Sequence, residues 1–180
     1  MSELKASSKV YSFCSILYKE SIWGNKEEAL IEMVGSLGIS NDLVFFHDND
    51  SMHSYYEKEM GAGLKRFFVF DTHLKERETL ISQKIKADQL ERDHFQEGQR
   101  KTRSFNFDPG YISLEQMVLA TGKPYSHRLY LGEGVYGELT YAWESGCWVP
   151  FKWAYPDYKD PRACEVFEQV RCMLANQLCA

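Results

Sequence analysis

The order of β-rich and helix-forming segments constrains the fold of this chain more than any other feature. Runs rich in β-branched and aromatic residues predict four strands, which are Val10–Tyr18, Leu43–His47, Leu64–Phe70 and Arg103–Phe107. Helix-forming segments follow the first and third strands. The resulting βαββαβ order is that of a ferredoxin-like sandwich, so the sequence predicts an α+β fold of this kind.

The two predicted helices follow from capping residues and from spacing. Asn25 is suited to cap a helix with Glu28 at the third helical position, and this helix would run to Leu37 and stop at Gly38. The second helix would begin at Asp71 or Thr72 and reach about Phe95. Within it, Ile81 and Ile85 would form the buried stripe.

A turn and a short helix are predicted after the fourth strand. Asp108-Pro109-Gly110 is typical of a turn, because proline presets φ and glycine accepts positive φ. Ser113 would then cap a helix, with Gln116 completing a capping box and Gly122 ending the helix.

An antiparallel meander and a final helix are predicted to extend the sandwich. The meander would run from His127 to about Phe151, with turns at 132–134 and 144–146. Asp160 would cap a helix with Pro161 at its first position, and this helix would reach about Leu178. We expect a single domain over residues 1–180, in which residues 1–9 form a flexible tail.

Charge and cysteine usage limit the classes of partner and compartment. A net charge of -5 argues against nonspecific binding to nucleic acid or to an anionic membrane. No apolar run approaches the roughly 20 residues of a membrane-spanning helix. The first nine residues are polar and unlike a signal peptide, and the five cysteines are odd in number with no CxxC pair. These features predict a cytoplasmic protein with reduced thiols.

The hairpin around Gly132-Glu133-Gly134 predicts one polar face. A three-residue loop places Arg128 opposite Glu138 and Tyr130 opposite Tyr136, all on the same face. On one interpretation Arg128 binds an anionic group between the two tyrosines. On the other, these residues form a cross-strand salt bridge and a ring pair. His127 would fall on the apolar face, as a core histidine.

The Asn106–Tyr111 segment offers a second group of polar residues. The predicted turn would bring Asn106, Asp108 and Tyr111 to the end of a strand, just before a helix N-terminus at Ser113. Helix N-termini attract anions through their free N–H groups. The alternative is an ordinary strand-to-helix turn in which Asp108 binds backbone amides.

The loop from His47 to Gly63 is acidic and contains possible metal ligands, which are Asp48, Asp50, His53, Glu57 and Glu59. Such loops are more often simply solvated, so we predict no metal site. Tyr55 and Tyr56 would anchor the loop to the sheet. The sequence lacks the GxxxxGK[ST], GxSxG and HExxH motifs, and its glycines Gly132, Gly134 and Gly137 have GxGxxG spacing but lie inside the predicted hairpin, so the sequence leaves any cofactor unknown.

Three strings carry a resemblance to a known family: YYEKEMGAGLKRFFVF, NFDPGYISLEQMVLATGKPYSHRLYLGEGVYGELT and WAYPDY. With them the chain resembles an uncharacterised bacterial family of about 180 residues, catalogued as a domain of unknown function. Its members are often labelled GTP-binding proteins, although this chain has no P-loop. The family usually has Thr-Asp ahead of the paired tyrosines, where this chain has His53-Ser54. The resemblance implies family membership and no particular reaction.

Two functions are compatible with these residues, and the sequence leaves open whether the protein is an enzyme. The first is binding of a small anionic molecule, such as a phosphorylated metabolite or nucleotide, with hydrolase or transferase action on it. Asn106, Lys123 and Arg128 would hold the ligand between Tyr111 and Tyr136. Asp108 or Glu138 would be the general base, or a metal ligand if the reaction needs a cation.

The second function is that of a non-enzymatic interaction protein. Trp143, Trp148 and Trp153 lie near the meander and would dock a protein or RNA partner through an aromatic surface. An exposed tryptophan cluster favours this function, and buried tryptophans count against it.

Overall fold

The computed structural model describes residues 3–47, 54–97 and 103–180. Its centre is an eight-stranded sheet in which neighbouring strands pair antiparallel. The strands are β1 (Tyr11–Lys19), β2 (Leu43–His47), β3 (Leu64–Phe70), β4 (Phe105–Ile112), β5 (Gln116–Thr121), β6 (Arg128–Gly132), β7 (Val135–Glu144) and β8 (Cys147–Pro150). Their order across the sheet is β2-β3-β1-β4-β5-β7-β6, and β8 also pairs with β7.

Five α-helices cover the sheet. They are α1 (Glu20–Trp23), α2 (Glu27–Ser36), α3 (Ser54–Met60), α4 (Thr79–Glu97) and α5 (Pro161–Cys179), and a short 3₁₀ helix (Pro156–Lys159) precedes α5. Within the described residues, no helix combines the length and apolar character needed to cross a membrane. The protein is therefore an α+β structure built on one mostly antiparallel sheet.

The two faces of the sheet bury separate apolar clusters. On one face, Ile16 and Phe107 pack with α2 and α4 through residues such as Val34 and Ala87. On the other face, side chains including Phe13 and Phe68 pack against Phe167 and its neighbours on α5. Alternate residues of a strand point to opposite faces, so β1 contributes to both clusters. We call these the α4 face and the α5 face.

Several predicted elements have the expected bounds. The strands predicted at Leu43–His47 and Leu64–Phe70 are β2 and β3. Asp160 caps α5 as expected, because its carboxylate accepts a hydrogen bond from the backbone N–H of Arg162 at 2.9 Å. The predicted hairpin pairs are also confirmed, with Arg128 opposite Glu138 and Tyr130 opposite Tyr136.

The predicted Asp-Pro-Gly turn is wrong, because these residues continue β4. Asp108, Pro109 and Gly110 pair in order with Ser15, Cys14 and Phe13 of β1. A glycine is needed at position 110 because neighbouring atoms leave no room for a side chain, and not because the chain turns there. A Cβ atom at this position would lie 2.6 Å from the Phe13 ring and 2.7 Å from the Val118 carbonyl.

The predicted helix from Ser113 to Gly122 is also wrong, because most of this segment forms β5. Ser113 does accept hydrogen bonds from the backbone N–H groups of Glu115 and Gln116, at 3.2 and 3.0 Å. Serine makes the same contacts in a turn as at a helix N-terminus. Here they close the turn between β4 and β5, so no helix N-terminus is available to bind an anion.

The two earlier helices start later than predicted. Asn25 is not the cap of α2, which begins at Glu27 after the chain turns through Gly24. Residues before α4 are held extended by backbone hydrogen bonds between Val10 and Lys75, so this helix begins at Thr79.

The predicted buried stripe of α4 is wrong at Ile85, which is exposed. The buried residues of this helix are Leu80, Gln83, Ala87 and Glu91, and two of these four are polar. The core-facing side of α4 is therefore only partly apolar.

Candidate functional site

The sheet splits between β4 and β5. The two strands pair only from Gly110 to Ile112 on β4 and from Met117 to Leu119 on β5, although both extend further. Pairing stops at Pro109, which has no N–H group to donate to a neighbouring strand. The first half of β4 therefore has β1 on one side and, among the described residues, no strand on the other.

Side chains from α4 bind the unpaired backbone of β4. The backbone N–H of Phe107 donates to the Glu91 carboxylate at 2.7 Å, and the Phe107 carbonyl accepts a hydrogen bond from Lys84 Nζ at 3.0 Å. A buried backbone group without a partner is costly. These two side chains satisfy both groups of Phe107, so the sheet can remain split.

A cleft of about 930 Å³ occupies this split. Its lining includes Lys84, Asp88 and Glu91 of α4, together with Trp153 and Tyr155 from the segment after β8. The loop between β5 and β6 contributes residues 121–125 and 127, and the hairpin after β6 contributes 133–135. The cleft thus takes residues from elements on both faces of the sheet.

Asp108 lies in the wall of the cleft beside a buried ion pair. Its carboxylate is 4.0 Å from Lys84 Nζ, and its side chain is 22% exposed. Arg66 on β3 lies nearby, where it forms an ion pair with Asp157 and donates a hydrogen bond to Ser15. Burial disfavours the charge on Arg66, but the Asp157 carboxylate, together with Tyr56, Tyr158 and Asp108, outweighs this effect and raises the pKa of Arg66. The Arg66 charge is therefore permanent.

The Glu138 carboxylate contacts the side chains of both Arg128 and His127. Its Oε2 atom accepts a hydrogen bond from Arg128 Nε at 2.6 Å and lies 3.1 Å from His127 Nε2. The Glu138 side chain is buried, whereas Arg128 and His127 line the cleft and retain some exposure. Arg128 also donates to the carbonyl of Lys123 at 3.0 Å. Glu138 therefore orients both of its neighbours.

The prediction that His127 belongs to the core is wrong. His127 precedes β6, so the alternation of the strand does not decide its direction. Its ring stacks on Trp153, with ring centroids 4.5 Å apart and an interplanar angle of 13°. Trp153 stacks in turn on Phe151 and donates to the Leu139 carbonyl at 2.7 Å. The imidazole is thus held between a carboxylate and an indole at the edge of the cleft.

Two tyrosines complete the side of the cleft next to Asp108. The rings of Tyr56 and Tyr155 lie 5.6 Å apart, and both side chains line the cleft. Burial and the carboxylate of Asp108 raise the pKa of the Tyr155 hydroxyl, and Glu138 adds to this effect. Tyr155 therefore stays protonated at neutral pH, between two carboxylates.

Arg103 closes the end of the cleft near α3. It donates to Glu91 at 2.7 Å, to the Asn106 side chain at 2.9 Å and to Glu59 at 2.6 Å. Burial raises the pKa of Glu91, whereas Lys84, the Phe107 N–H and Arg103 act against this rise. Arg103 thereby joins α3, α4 and β4 at the cleft.

The cleft brings together five of the seven residues predicted for the site, which are Asn106, Asp108, Lys123, Arg128 and Glu138. Tyr111 points to the α4 face, where it packs with Val10 and Leu80. Tyr136 packs against Tyr130, with ring centroids 5.2 Å apart. Neither of these two tyrosines is among the residues that line the cleft.

The cleft residues that sequence reasoning missed include Lys84, Glu91, Arg103, His127, Trp153 and Tyr155. Lys84 and Glu91 sit seven residues apart on α4, which places them on one helix face. The sequence carried one indication of these residues. Gln83 and Glu91 fall on the core-facing side of α4, and a buried polar side chain needs a hydrogen-bonding partner. The partners themselves lie on other strands.

Possible metal ligands meet at one place away from the cleft. Within residues 3–47, 54–97 and 103–180, Asp42, Asp71 and His73 are the one group whose ligand atoms lie within 4.8 Å of one another. Lys75 Nζ already pairs with Asp71 there at 3.2 Å.

In the acidic loop, Asp48, Asp50 and His53 lie outside the described residues. The side chain of Tyr55 lies outside them as well, whereas Tyr56 is buried as predicted for an anchor. Glu57 is exposed, and Glu59 is paired with Arg103.

The fold and cleft define an α+β protein whose candidate site lies in a split antiparallel sheet. The chain belongs to the family described as Domain of unknown function (DUF4416), whose family model matches residues 8–173. This confirms the resemblance to an uncharacterised family. No curated protein and no solved structure matches the chain.

Proposed function

We propose that the cleft binds a small anionic molecule, such as a phosphorylated metabolite or nucleotide, and that the protein acts on it as a hydrolase or transferase. The observation that carries this proposal is the concave, charged cleft in the split between β4 and β5. Ligand sites are commonly concave and place a few polar groups between aromatic walls.

The ion pairing of the lysine and arginine side chains that line the cleft supports an anionic ligand. Arg92 is paired with Asp88, and Arg103 with Glu91 and Glu59, so these charges are already neutralised. Lys123 is exposed at the mouth of the cleft and forms no ion pair among the described residues. Arg128 is also paired, with Glu138, but only its Nε and one terminal nitrogen form hydrogen bonds, and its other terminal nitrogen has no partner in the described part of the chain. Lys123 and Arg128 are therefore the groups assigned to the anion.

The carboxylates of the cleft divide into two roles in this proposal. Asp108 is the general base, because it lies in the cleft wall and is only loosely paired with Lys84. Glu138 is a positioning residue, because Arg128 and His127 occupy the same carboxylate oxygen. Asn106 lies beside Arg103 at the other end of the cleft and would bind a polar group of the ligand.

Two finer statements accompany this proposal. We propose that β1 to β4 with α2 and α4 form a ferredoxin-like unit, since β2-β3-β1-β4 is the order of neighbouring strands and all three pairs are antiparallel. We also propose that the protein works in the cytoplasm, where its five free cysteines would stay reduced.

Thermal unfolding with a ligand panel tests the proposed function. The panel contains inorganic phosphate, sugar phosphates, nucleoside mono- and triphosphates and Mg²⁺. A ligand at about a hundred times its Kd raises the free energy of unfolding by roughly 2.7 kcal/mol. Lys123→Ala should abolish the shift, whereas Lys86→Ala, an exposed lysine on α4 outside the cleft, should retain it. If no member of the panel stabilises the protein, the proposal is wrong.

A second candidate function is docking of a protein partner. The tryptophans do not supply an exposed surface for it, because Trp148 is buried and Trp143 packs between Trp148 and the guanidinium of Arg171. The favouring observation is instead the apolar residues that strand β6 exposes.

An exchange of charges discriminates between the two functions. In the double variant Arg128→Glu with Glu138→Arg, docking should persist because the ion pair is restored. Anion binding should be lost, because the cation has moved to the buried position of the pair.

A further inference from the structure

The outer edge of the sheet is longer than either of the strands that form it. Strand β7 pairs with β5 on one side, and on its other side with β6 through Val135–Glu138 and with β8 through Tyr141–Glu144. Because β6 and β8 are both antiparallel to β7, they run in the same direction, one after the other. The backbone of Phe151 bridges the space between them by donating to the Thr140 carbonyl at 3.1 Å. We call β6, β8 and this bridge the β6–β8 edge.

Exposed apolar side chains are concentrated at the β6–β8 edge. Of the ten large apolar side chains that the described residues leave exposed, five lie on this edge or in the turn that enters it. They are Leu129 (76% exposed), Tyr125 (67%), Tyr130 (63%), Leu131 (40%) and Val149 (38%). The other five are scattered along the chain. Monomeric proteins rarely gather exposed apolar residues in this way without a partner.

Strand β6 carries little of the charge protection that is usual for an edge strand. Edge strands are commonly guarded by lysine or proline on the edge, by inward-pointing charges, by short length or by β-bulges. The one charged residue of β6 is Arg128, whose guanidinium is bound to Glu138. A shift of register with β7 occurs between Tyr130 and Gly132, next to the turn, so Leu129 and Tyr130 keep regular pairing.

We propose that the β6–β8 edge binds a second copy of this chain, through antiparallel pairing of the two β6 strands about a two-fold axis at Tyr130. This register places Leu129 opposite Leu131 of the second copy and Tyr130 opposite itself. The reverse pairs follow from the symmetry. The strand is thus complementary to itself in its apolar side chains.

The exposed area allows a dimer at the small end of the range for specific interfaces. A fully exposed large side chain presents about 200 Å², so the five exposed side chains offer roughly 500 Å² on each copy. Two copies would bury at most about 1,000 Å² of total surface, which is the lower limit for a specific interface. Backbone hydrogen bonds along the paired strands would add to this area.

Sedimentation equilibrium of the full chain tests the proposal. We expect a species of twice the 21.0 kDa chain mass. Leu129→Lys should raise the dimer dissociation constant at least about 100-fold, because each interface would then hold two like charges. The control is Phe46→Lys, which places a lysine at an exposed apolar position of β2, the strand at the opposite edge of the sheet. This variant should dimerise as the wild type does.

Two results would overturn the proposal. One is a wild-type chain that stays monomeric at the highest soluble concentration. The other is a dimer that Phe46→Lys weakens and Leu129→Lys does not. Thermal unfolding of each variant checks that the monomer remains folded, and both substitutions replace exposed side chains.

Hydrogen exchange gives an independent measurement. Backbone amides of residues 128–132 should exchange more slowly as protein concentration rises, while those of β2 should not change. Exchange at 128–132 that does not depend on concentration would contradict pairing through this edge.

Discussion

The backbone N–H of Phe107 donates a hydrogen bond to the carboxylate of Glu91 at 2.7 Å. A helix side chain thus takes the place of a neighbouring strand along β4. The second carboxylate oxygen of Glu91 accepts from Arg103, at 2.7 Å. Without these contacts the first half of β4, which pairs with β1 alone, would bury unsatisfied polar groups. Glu91 is therefore required for the split that forms the cleft.

Replacing Glu91 should destabilise the protein strongly. Glu91→Ala leaves both the Phe107 N–H and the Arg103 guanidinium without their acceptor, and we expect a loss of about 3 kcal/mol in the free energy of unfolding. Asp88→Ala is the matched control, since Asp88 lies one turn earlier on α4 in an exposed pair with Arg92. Its loss should stay below about 0.5 kcal/mol. Urea denaturation measures both, and equal losses would contradict the assigned role of Glu91.

Asp71 should make stability depend on pH at the acidic end. Burial raises its pKa, but hydrogen bonds from the backbone N–H groups of His73 and Ser40 and from Lys75 outweigh burial, so the pKa lies below the ordinary value of 3.8. The folded state therefore binds this proton more weakly than the unfolded state does. The resulting stabilisation is complete above pH 3.8 and is lost as pH falls through the lowered folded-state pKa.

The variant Asp71→Asn isolates this contribution. At neutral pH it should be less stable than the wild type by about 1–3 kcal/mol, because a buried acceptor of several hydrogen bonds loses its charge. The difference should shrink below pH 3.8. Thermal unfolding of both proteins across the acidic range provides the measurement. A difference that is independent of pH would show that the carboxylate charge is not the cause.

The buried pair of Arg66 and Asp157 should give strongly non-additive substitutions. Their side chains are 0% and 1% exposed. Either single change, Arg66→Met or Asp157→Asn, leaves one buried charge without its oppositely charged partner in this pair and should cost about 3–5 kcal/mol. The double variant removes both charges and should cost clearly less than the two losses together. A double-mutant cycle by urea denaturation would reject the pairing if the two losses simply add.

Two glycines should respond in opposite directions to alanine. Gly110→Ala places a methyl group against Phe13 and the Val118 carbonyl, and we expect a loss of about 1–3 kcal/mol. Gly35 lies in helix α2, where an added Cβ would meet no atom of another element within 4 Å. Gly35→Ala should therefore stabilise the protein by about 0.5–1 kcal/mol, because alanine loses less backbone entropy in a helix. Calorimetric melting temperatures would show the two opposite shifts.

Local sequence patterns correctly predicted the elements whose structure depends least on contacts with residues distant in sequence. Strands β2 and β3 have the predicted bounds because continuous runs of apolar and aromatic residues are flanked by polar ones. Helix α5 starts where Asp160 and Pro161 predict, since an N-cap needs only its own backbone. The pairing of Arg128 with Glu138 matches the prediction although the three-residue loop does not form: Gly132 pairs with Val135, and a register shift between Tyr130 and Gly132 restores the predicted pairs.

The predictions were wrong where the same local residues are compatible with two different structures. Asp108-Pro109-Gly110 suits a turn, but here the proline ends the pairing with β5 and the glycine accommodates the Phe13 ring. Ser113 binds two backbone amides as a helix cap does, and instead closes a β-turn. The contacts that distinguish these alternatives come from β1 and β5. Strand β1 is distant in sequence, and β5 becomes a strand only when the sheet forms.

The sequence by itself determined the residue types that a polar site requires and the segments that carry them. Arg128 and Glu138 follow from the hairpin register, whereas Asp108 was singled out by a predicted turn that the structure replaces with strand β4. Only the tertiary structure decided that β4 and β5 separate, that α4 supplies Glu91 to the open strand, and that His127 shares the carboxylate of Glu138. The physical reason is that a buried polar group must find a partner wherever packing brings one within reach, and packing is a property of the whole fold.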